Sequence, residues 1–531
     1  MSKFNYARIS PQPTSPITAT RVPGARNYQG GEAFERDAKS ELFVLAVANM
    51  VSEHTFYEDG SHRDERFEKL CAAVAVDDLD WMARFIPWLR DTANMRSASE
   101  VAAAVAAQAL AAKAMPGART LISTACQRAD QPGEILARWL TVVGKRVPMS
   151  VKRGLADAAR RLYNQKSALK YDTPSHGVRF GDVLELCHPR PTGAVQNALF
   201  GWLLDRRPGK SRKVGGRNVT IPEALRTVTA NRRVREEAKT DATILTQSST
   251  LEAAGITWEQ ALSQAGKDVD KAALWEAKIP SMGYMALLRN LRNFDEAGVS
   301  DETAKAVGER LADPEQVARS RQFPFRFLSA YKAAPSLRWS WPLEQAINHS
   351  LVNIPALHGR TLILVDQSGS MFNRVSDASA ADWAHTAALF GTALALRSEK
   401  FKLVQFGSTS EDVPLHEGES VLRAVGRFRP MGGTYMLAAL DQHFNGHDRI
   451  VVITDEQFAP NLSYYRQYGR PTTLDDIVPK STPVYTWNLA GYRYGGMAAN
   501  RPGRHTFAGL SDACFSIIGM LESGEKGEWP F

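Results

Sequence analysis

Cysteine is scarce in this chain. Its 531 residues hold four, Cys71, Cys126, Cys187 and Cys514, with no CxxC spacing among them. Zinc fingers and ribbons need such pairs and disulfide-stapled folds need more, so neither is expected. Isolated thiols fit buried small hydrophobes in a reduced, cytoplasmic setting. Long apolar runs are also lacking. None reaches the length that crosses a bilayer, and no charged-then-apolar leader opens the chain, so no membrane partner is expected. Catalytic signatures are missing too: neither a phosphate loop GxxxxGK[ST], nor a Ser/His/Asp set, nor a paired Cys–His motif occurs in a supporting context. The chain does not read as an enzyme.

What is present is length and unevenly placed charge. A chain of 531 residues can build two or more domains with substantial cores. Its net charge of +8 is concentrated: residues 1–350 carry roughly ten more bases than acids, and the rest is slightly acidic. Between Lys145 and Lys239 bases outnumber acids by roughly two to one. A basic part joined to a near-neutral one suggests two different partners.

The hydrophobic pattern divides the chain in the same place. Residues 1–30, with Pro, Ser, Thr and Gly and no periodicity, read as a flexible arm. From 31 to 350 the pattern is helical, with apolar residues at helix spacing over Phe34–Val51, Phe67–Val76, Leu79–Leu89 and Ser99–Lys113. Pro and Gly punctuate these stretches, which implies a helical repeat of irregular period. From 351 to 531 strand-like runs alternate with helical ones, the pattern of a doubly wound α/β sheet: Leu362–Val365, Lys402–Phe406, Ile450–Ile453 and Val484–Leu489 as strands, Ala380–Leu396 and Met436–His443 as helices.

The first of those strands ends in Asp366-x-Ser368-x-Ser370. A carboxylate at the carboxyl end of a parallel strand stands where open α/β sheets place ligands. One carboxylate and two hydroxyls suit a hard divalent cation such as Mg²⁺, which takes oxygen ligands. A turn, Gly432-Gly433-Thr434, offers a third hydroxyl, and Ile450–Thr454 leads into a second carboxylate, Asp455. The ordered set resembles the metal-ion-dependent adhesion site of von Willebrand factor A domains. By that resemblance Asp366, Ser368, Ser370, Thr434 and Asp455 are the metal set, and a partner's oxygen group completes the ion's shell. The competing structural account is a capped helix start after a core strand. A phosphotransfer site of Asp-x-Asp type is disfavoured, because position 368 is serine.

The basic stretch has two parts. Lys152, Arg153, Arg160, Lys166 and Lys170 recur at near-helical spacing, a face able to neutralise phosphates. Arg206 to Arg217, with Arg206, Arg207, Lys210, Arg212 and Lys213, has no apolar period and reads as an exposed loop that could follow an irregular RNA backbone. The bland alternative for either run is a solvated face.

Together, the pieces resemble the Ro autoantigen family, whose helical part is the TROVE module. Tyr284-Met-Ala-Leu-Leu-Arg289-Asn290-Leu291 looks like a signature of that module, and Phe323-Pro324-Phe-Arg326 is similar to its Pro-containing helix start. Asp182-Val-Leu-Glu-Leu-Cys-His188-Pro189-Arg190-Pro191 resembles its Leu-x-His-Pro-Lys-Pro turn. The resemblance implies a HEAT-like helical ring, expected to be monomeric, closed by the A domain. It implies a small non-coding Y RNA on the outer face at Lys152, Arg153, Arg160, Lys166, Lys170, His188 and Arg190. It further implies single-stranded 3′ ends of misfolded or structured RNAs in the hole, and polynucleotide phosphorylase or another RNA-processing protein as partner in RNA quality control. The family's Trp-x-His is Val178-Arg179-Phe180 here, and its Gly-Arg before the basic helix is Pro148-Met149. An alternative is an adaptor that grips an acidic partner through the metal, its helices serving only as a rigid support.

Overall fold

The computed structural model describes residues 16–48, 55, 57–93, 95–207, 219–266, 269–320, 322, 324–351, 356–375, 381–416, 419–460, 473–499, 501–509, 518 and 528–531. These fall into two compact units. One comprises the described residues up to Phe67, Phe323–Ser329 and the chain from Ile347 onward; the other comprises Glu68–Gln322 and Ala330–Ala346.

The first unit is built on a six-stranded sheet. Its strands are β3 (Leu357–Asp366), β4 (Ser398–Phe406), β5 (Ser410–Asp412), β6 (Arg449–Thr454), β7 (Val484–Asn488) and β9 (Arg504–Ala508). They lie in the order β5-β4-β3-β6-β7-β9. All neighbours are parallel except the antiparallel edge strand β5. β3 and β6 are central and covered on both faces, so Thr361–Asp366 and Arg449–Thr454 are buried throughout. That is why they read as unbroken apolar runs rather than alternating ones. The helix Trp383–Leu396 packs on β3 with almost every residue buried. A Cβ on its Gly391 would stand 2.4 Å from Val365 Cγ2, so only glycine lets the helix lie this close to the end of β3.

The amino-terminal residues depart from the sequence expectation. Residues 1–30 read as an arm, yet β1 (Ala19–Arg26) and β2 (Glu32–Arg36) form an antiparallel hairpin. β2 in turn pairs with β8 (Tyr494–Gly495) in a second, three-stranded sheet. The boundary expected at 31 therefore does not hold. The hairpin and helix α1 (Ala38–Ala48) belong with the α/β unit. The cause is visible in β1. Only Ala19 is buried, and Pro23-Gly24 shifts the register between Arg21 and Arg26, so no alternation marks the strand.

The second unit is helical. After α2 (Gly60–Asp77) come α3 (Leu79–Asp91), α4 (Arg96–Ala112), α5 (Ala118–Ala125), α6 (Gln131–Arg138), α7 (Met149–Leu162), α8 (Gln165–Tyr171), α9 (Phe180–Cys187), α10 (Ala194–Asp205) and α11 (Arg226–Glu237). Helices pack on near neighbours in sequence: α3 on α4, α4 on α5, α5 on α7, α7 on α9 and α9 on α10. In α4 the alanines Ala102, Ala103, Ala104, Ala106 and Ala107 are buried, as a close helix approach requires. Within the pairing of α5 and α7, Gly154 presses on Ile122 at a distance that a Cβ would violate.

Candidate metal centre and basic face

The five oxygen residues named from the sequence converge. Asp366, at the end of β3, is fully buried, and Thr454 Oγ1 at the end of β6 donates to its Oδ2 at 2.6 Å. The other oxygen, Oδ1, accepts the Ser368 N–H at 2.9 Å, which turns the chain into a short 3₁₀ helix, Gly369–Phe372. Ser368 Oγ and Ser370 Oγ stand 3.3 Å apart. Backbone bonds lock the three loops together. Met431 N–H donates to Gln367 O and Gly369 N–H to Gly432 O, each at 2.8 Å, and Ala459 N–H donates to Thr434 O at 2.8 Å. Gly432 makes this turn at φ 81°, which costs glycine little.

Burial leaves two oxygens of this set without partners among the described residues. Thr434 Oγ1 and Asp455 Oδ2 are buried and accept or donate no hydrogen bond among the described residues. Asp455 Oδ1 accepts the Gln457 N–H at 3.0 Å. Burial raises the pKa of Asp366, and burial and the Asp366 charge raise that of Asp455. Two buried carboxylates, one with an orphaned oxygen, and an orphaned hydroxyl on a loop tied to theirs form a donor set that a divalent cation would satisfy. The residues thus fit the ion that the resemblance implies. No group of three or more His, Cys, Asp or Glu among the described residues is arranged for a metal, so hydroxyls must complete this set.

The loop that carries Asp455 is held by the amino-terminal hairpin, which the sequence pattern missed. Asn27 Nδ2 donates to Phe458 O at 2.9 Å, and the Tyr28 N–H donates to Gln457 Oε1 at 3.0 Å. Arg36 forms an ion pair with Glu456, both side chains 1% exposed. Glu456 itself adopts φ 60°, a left-handed conformation that a glutamate takes only when its surroundings hold it. The only sequence signal was an arginine inside the apolar-polar run Glu32–Arg36.

On the helical unit, α7 buries Val151, Gly154, Leu155, Ala158 and Ala159. Lys152 is half-buried on its other side, and Arg153 and Arg160, two turns apart, are exposed. Asn164 and Ser167 form a capping box that starts α8 and carries the exposed Lys166 and Lys170 on one face. His188 ends α9 in the left-handed region at φ 48° and is exposed, as is Arg190. None of these seven makes an ion pair among the described residues; Lys170 lies over the Tyr171 ring at 5.1 Å. Neighbouring arginines differ. Arg119 pairs with Asp157 at 2.6 Å, Arg179 with Asp172 at 2.6 Å, and Arg161 donates to the carbonyls of Ser123 and Cys126.

Arg206 and Arg207, expected in an exposed loop, belong to this second class. Arg206 lies 4.2 Å over the Trp202 ring and 3.7 Å from Asp172 Oδ2. Arg207 pairs with Asp182 at 2.9 Å and Glu185 at 3.3 Å. Lys210, Arg212 and Lys213 lie outside the described residues, as does Cys514.

A TROVE domain model matches residues 251–359. Telomerase protein component 1 of Mus musculus is 42% identical over 83 residues, which is 15% of this chain and 3% of that protein. The RNA-binding protein RO60 of Deinococcus radiodurans is 29% identical over 242 residues, 41% of this chain and 42% of that one. The chain thus spans less than half the length of these curated relatives. The crystal structure of the Deinococcus radiodurans RO (RSR) protein superposes with a TM-score of 0.60 at 19% identity, covering 92% of this chain and 100% of that one. The resemblance to the Ro family is borne out. In this Ro-like chain the Met285–Leu291 signature, inside the matched region, serves packing: Leu287, Leu288 and Leu291 are buried, and Tyr284 Oη donates to Leu311 O at 2.7 Å. Asn290 Nδ2 caps Ala286 O at 2.7 Å.

Proposed function

We propose that this protein is an RNA-binding scaffold of Ro type. The observation that carries it is the partition of the bases on α7–α9. Lys152, Arg153, Arg160, Lys166, Lys170, His188 and Arg190 carry no ion pair among the described residues, while adjacent arginines are spent on carboxylates and carbonyls. A structural charge finds a partner within the fold, so an unpaired row on consecutive helices suits an external polyanion. The Deinococcus radiodurans relative named for RNA binding supports the same reading. A small folded RNA of Y type is the ligand of this outer face. Single-stranded 3′ ends in a central hole, an exoribonuclease partner, a role in RNA quality control and a cytoplasmic location complete the assignment. The chain binds RNA without cleaving it.

In the α/β unit, Asp366, Ser368, Ser370, Thr434 and Asp455 hold a divalent cation, Mg²⁺, whose positive charge would attract an oxygen ligand from a partner. The orphaned Thr434 and Asp455 oxygens support that role. The deciding experiment is crosslinking in cells, denaturing purification and sequencing of the attached RNA. One abundant folded small RNA is expected. No enrichment over background would leave the metal-site adaptor as the better account. In vitro, replacing Lys152, Arg153 and Lys170 by alanine should weaken binding of a structured RNA and lower the slope of log affinity against log salt by about three. An unchanged slope would remove these bases from the interface.

A further inference from the structure

The amino-terminal segment does more than hold the loop of Asp455. It also places a phenol at the metal centre. The Tyr57 hydroxyl hydrogen-bonds Ser370, and the charges of Asp455 and Asp366 both act on it. Gln29 Nε2 donates to the same hydroxyl. The ring is fixed from two sides. It stacks on Tyr28 with centroids 4.9 Å apart and planes 2° from parallel, and the Tyr492 ring meets it edge-on at 5.3 Å. Tyr492 reaches it from the loop between β7 and β8 and bonds the Thr55 side chain and the Tyr57 backbone. Tyr28 is anchored by its N–H to Gln457 and by its hydroxyl to Glu58 Oε1 at 3.2 Å.

We propose that Tyr57 is a positioning residue of the metal centre, acting on the ion through Ser370. A serine hydroxyl that lends a lone pair to a cation holds its proton less tightly and must aim it at an acceptor. Ser370 has Ser368 Oγ at 3.3 Å, itself a member of the set, and it also interacts with the Asp455 carboxylate and the Tyr57 phenol. With a cation bound and Asp455 engaged by it, the phenol oxygen would receive the Ser370 proton and leave a Ser370 lone pair for the ion. The segment before α2 is therefore part of the site, although about three hundred residues of sequence separate it from Asp366.

This inference rests on the metal assignment above, and one experiment separates their fates. Mn²⁺ binding to the full-length chain is followed by electron paramagnetic resonance, with Mg²⁺ as competitor, for the natural chain, Asp366→Ala, Tyr57→Phe and Tyr28→Phe. The expected result is binding by the natural chain, none by Asp366→Ala, and about tenfold weaker binding by Tyr57→Phe, the loss typical of an outer-shell partner. Tyr28→Phe keeps the stack and should bind normally. The melting temperature of Tyr57→Phe in EDTA should match that of the natural chain. Equal Mn²⁺ affinity in Tyr57→Phe, or a loss matched by a lower melting temperature in EDTA, overturns the role of Tyr57. No Mn²⁺ binding by the natural chain overturns the metal assignment itself.

Discussion

At Arg36 and Glu456 two opposite charges meet with almost no water, each side chain 1% exposed. Such a pair recovers little net stability, because both ions lose their hydration. Removing one partner is a different matter. Arg36→Met leaves Glu456 buried without its counter-charge, beside the Asp455 carboxylate, and should cost about 3–5 kcal/mol in chemical denaturation of the α/β unit. The double change Arg36→Met with Glu456→Leu should recover much of that loss; if it does not, Arg36 matters through packing. Glu100 shows the reverse situation in the helical unit. Burial, with the neighbouring Glu134 charge, pushes its pKa up to about 9, although Gln131 Nε2 donates to it and Arg96 lies 3.7 Å away. The folded chain therefore holds this proton more tightly than the unfolded chain. Below the ordinary carboxylate pKa both states are protonated and nothing is lost. As pH rises from there toward 9, ionisation favours the unfolded chain, and stability falls. Glu100→Gln should raise the melting temperature at pH 8 by a few degrees, about 2–4 °C per kcal/mol, and leave it unchanged at pH 4. An equal shift at both pH values would exclude ionisation as the cause.

At the scale of elements, the end of β3 is set by how closely the helix Trp383–Leu396 can approach it. Gly391→Val would drive a side chain into Val365, one residue before Asp366, and should destabilise the unit by about 1–3 kcal/mol while weakening Mn²⁺ binding. Stability loss with full Mn²⁺ affinity would show that β3 can shift without moving Asp366. Strands β3, β6 and β7 were legible in the sequence because they are buried on both faces and rich in β-branched residues. The convergence of the oxygen residues was legible for a related reason: parallel strands deliver their last residues to one edge, so carboxylates ending two such strands must be near each other. The hairpin β1–β2 was not. Its exposed faces carry no period, and the contacts that order it, Asn27 to Phe458 and Arg36 to Glu456, join residues more than four hundred positions apart. Nor could spacing separate Lys152 from Arg161, both on the surface of α7. Arg161 is spent on the end of α5 because a carbonyl happens to face it, which only the helix packing decides.

For the whole molecule, the basic row and the metal centre lie in different compact units and share no residue. Asp366 is fully buried at the end of β3, bonded to Thr454 and Ser368. In the proposed function RNA binding rests instead on charges displayed by α7, α8 and the turn after α9, whose backbone is held by local caps and by Gln196 bridging Arg160 O and Tyr163 O. Six permanent cations on phosphates would make affinity fall by about 10³ between 50 and 200 mM salt. A single carboxylate in the other unit contributes nothing to that term. Asp366→Ala should therefore abolish Mn²⁺ binding and leave both the affinity for a structured RNA and its salt slope within about twofold of the natural chain. The alanine triple on Lys152, Arg153 and Lys170 should do the converse. A folded Asp366→Ala protein that loses RNA affinity by tenfold or more would mean that the cation, or the partner it holds, takes part in seating the RNA, and the two sites would have to be treated as one.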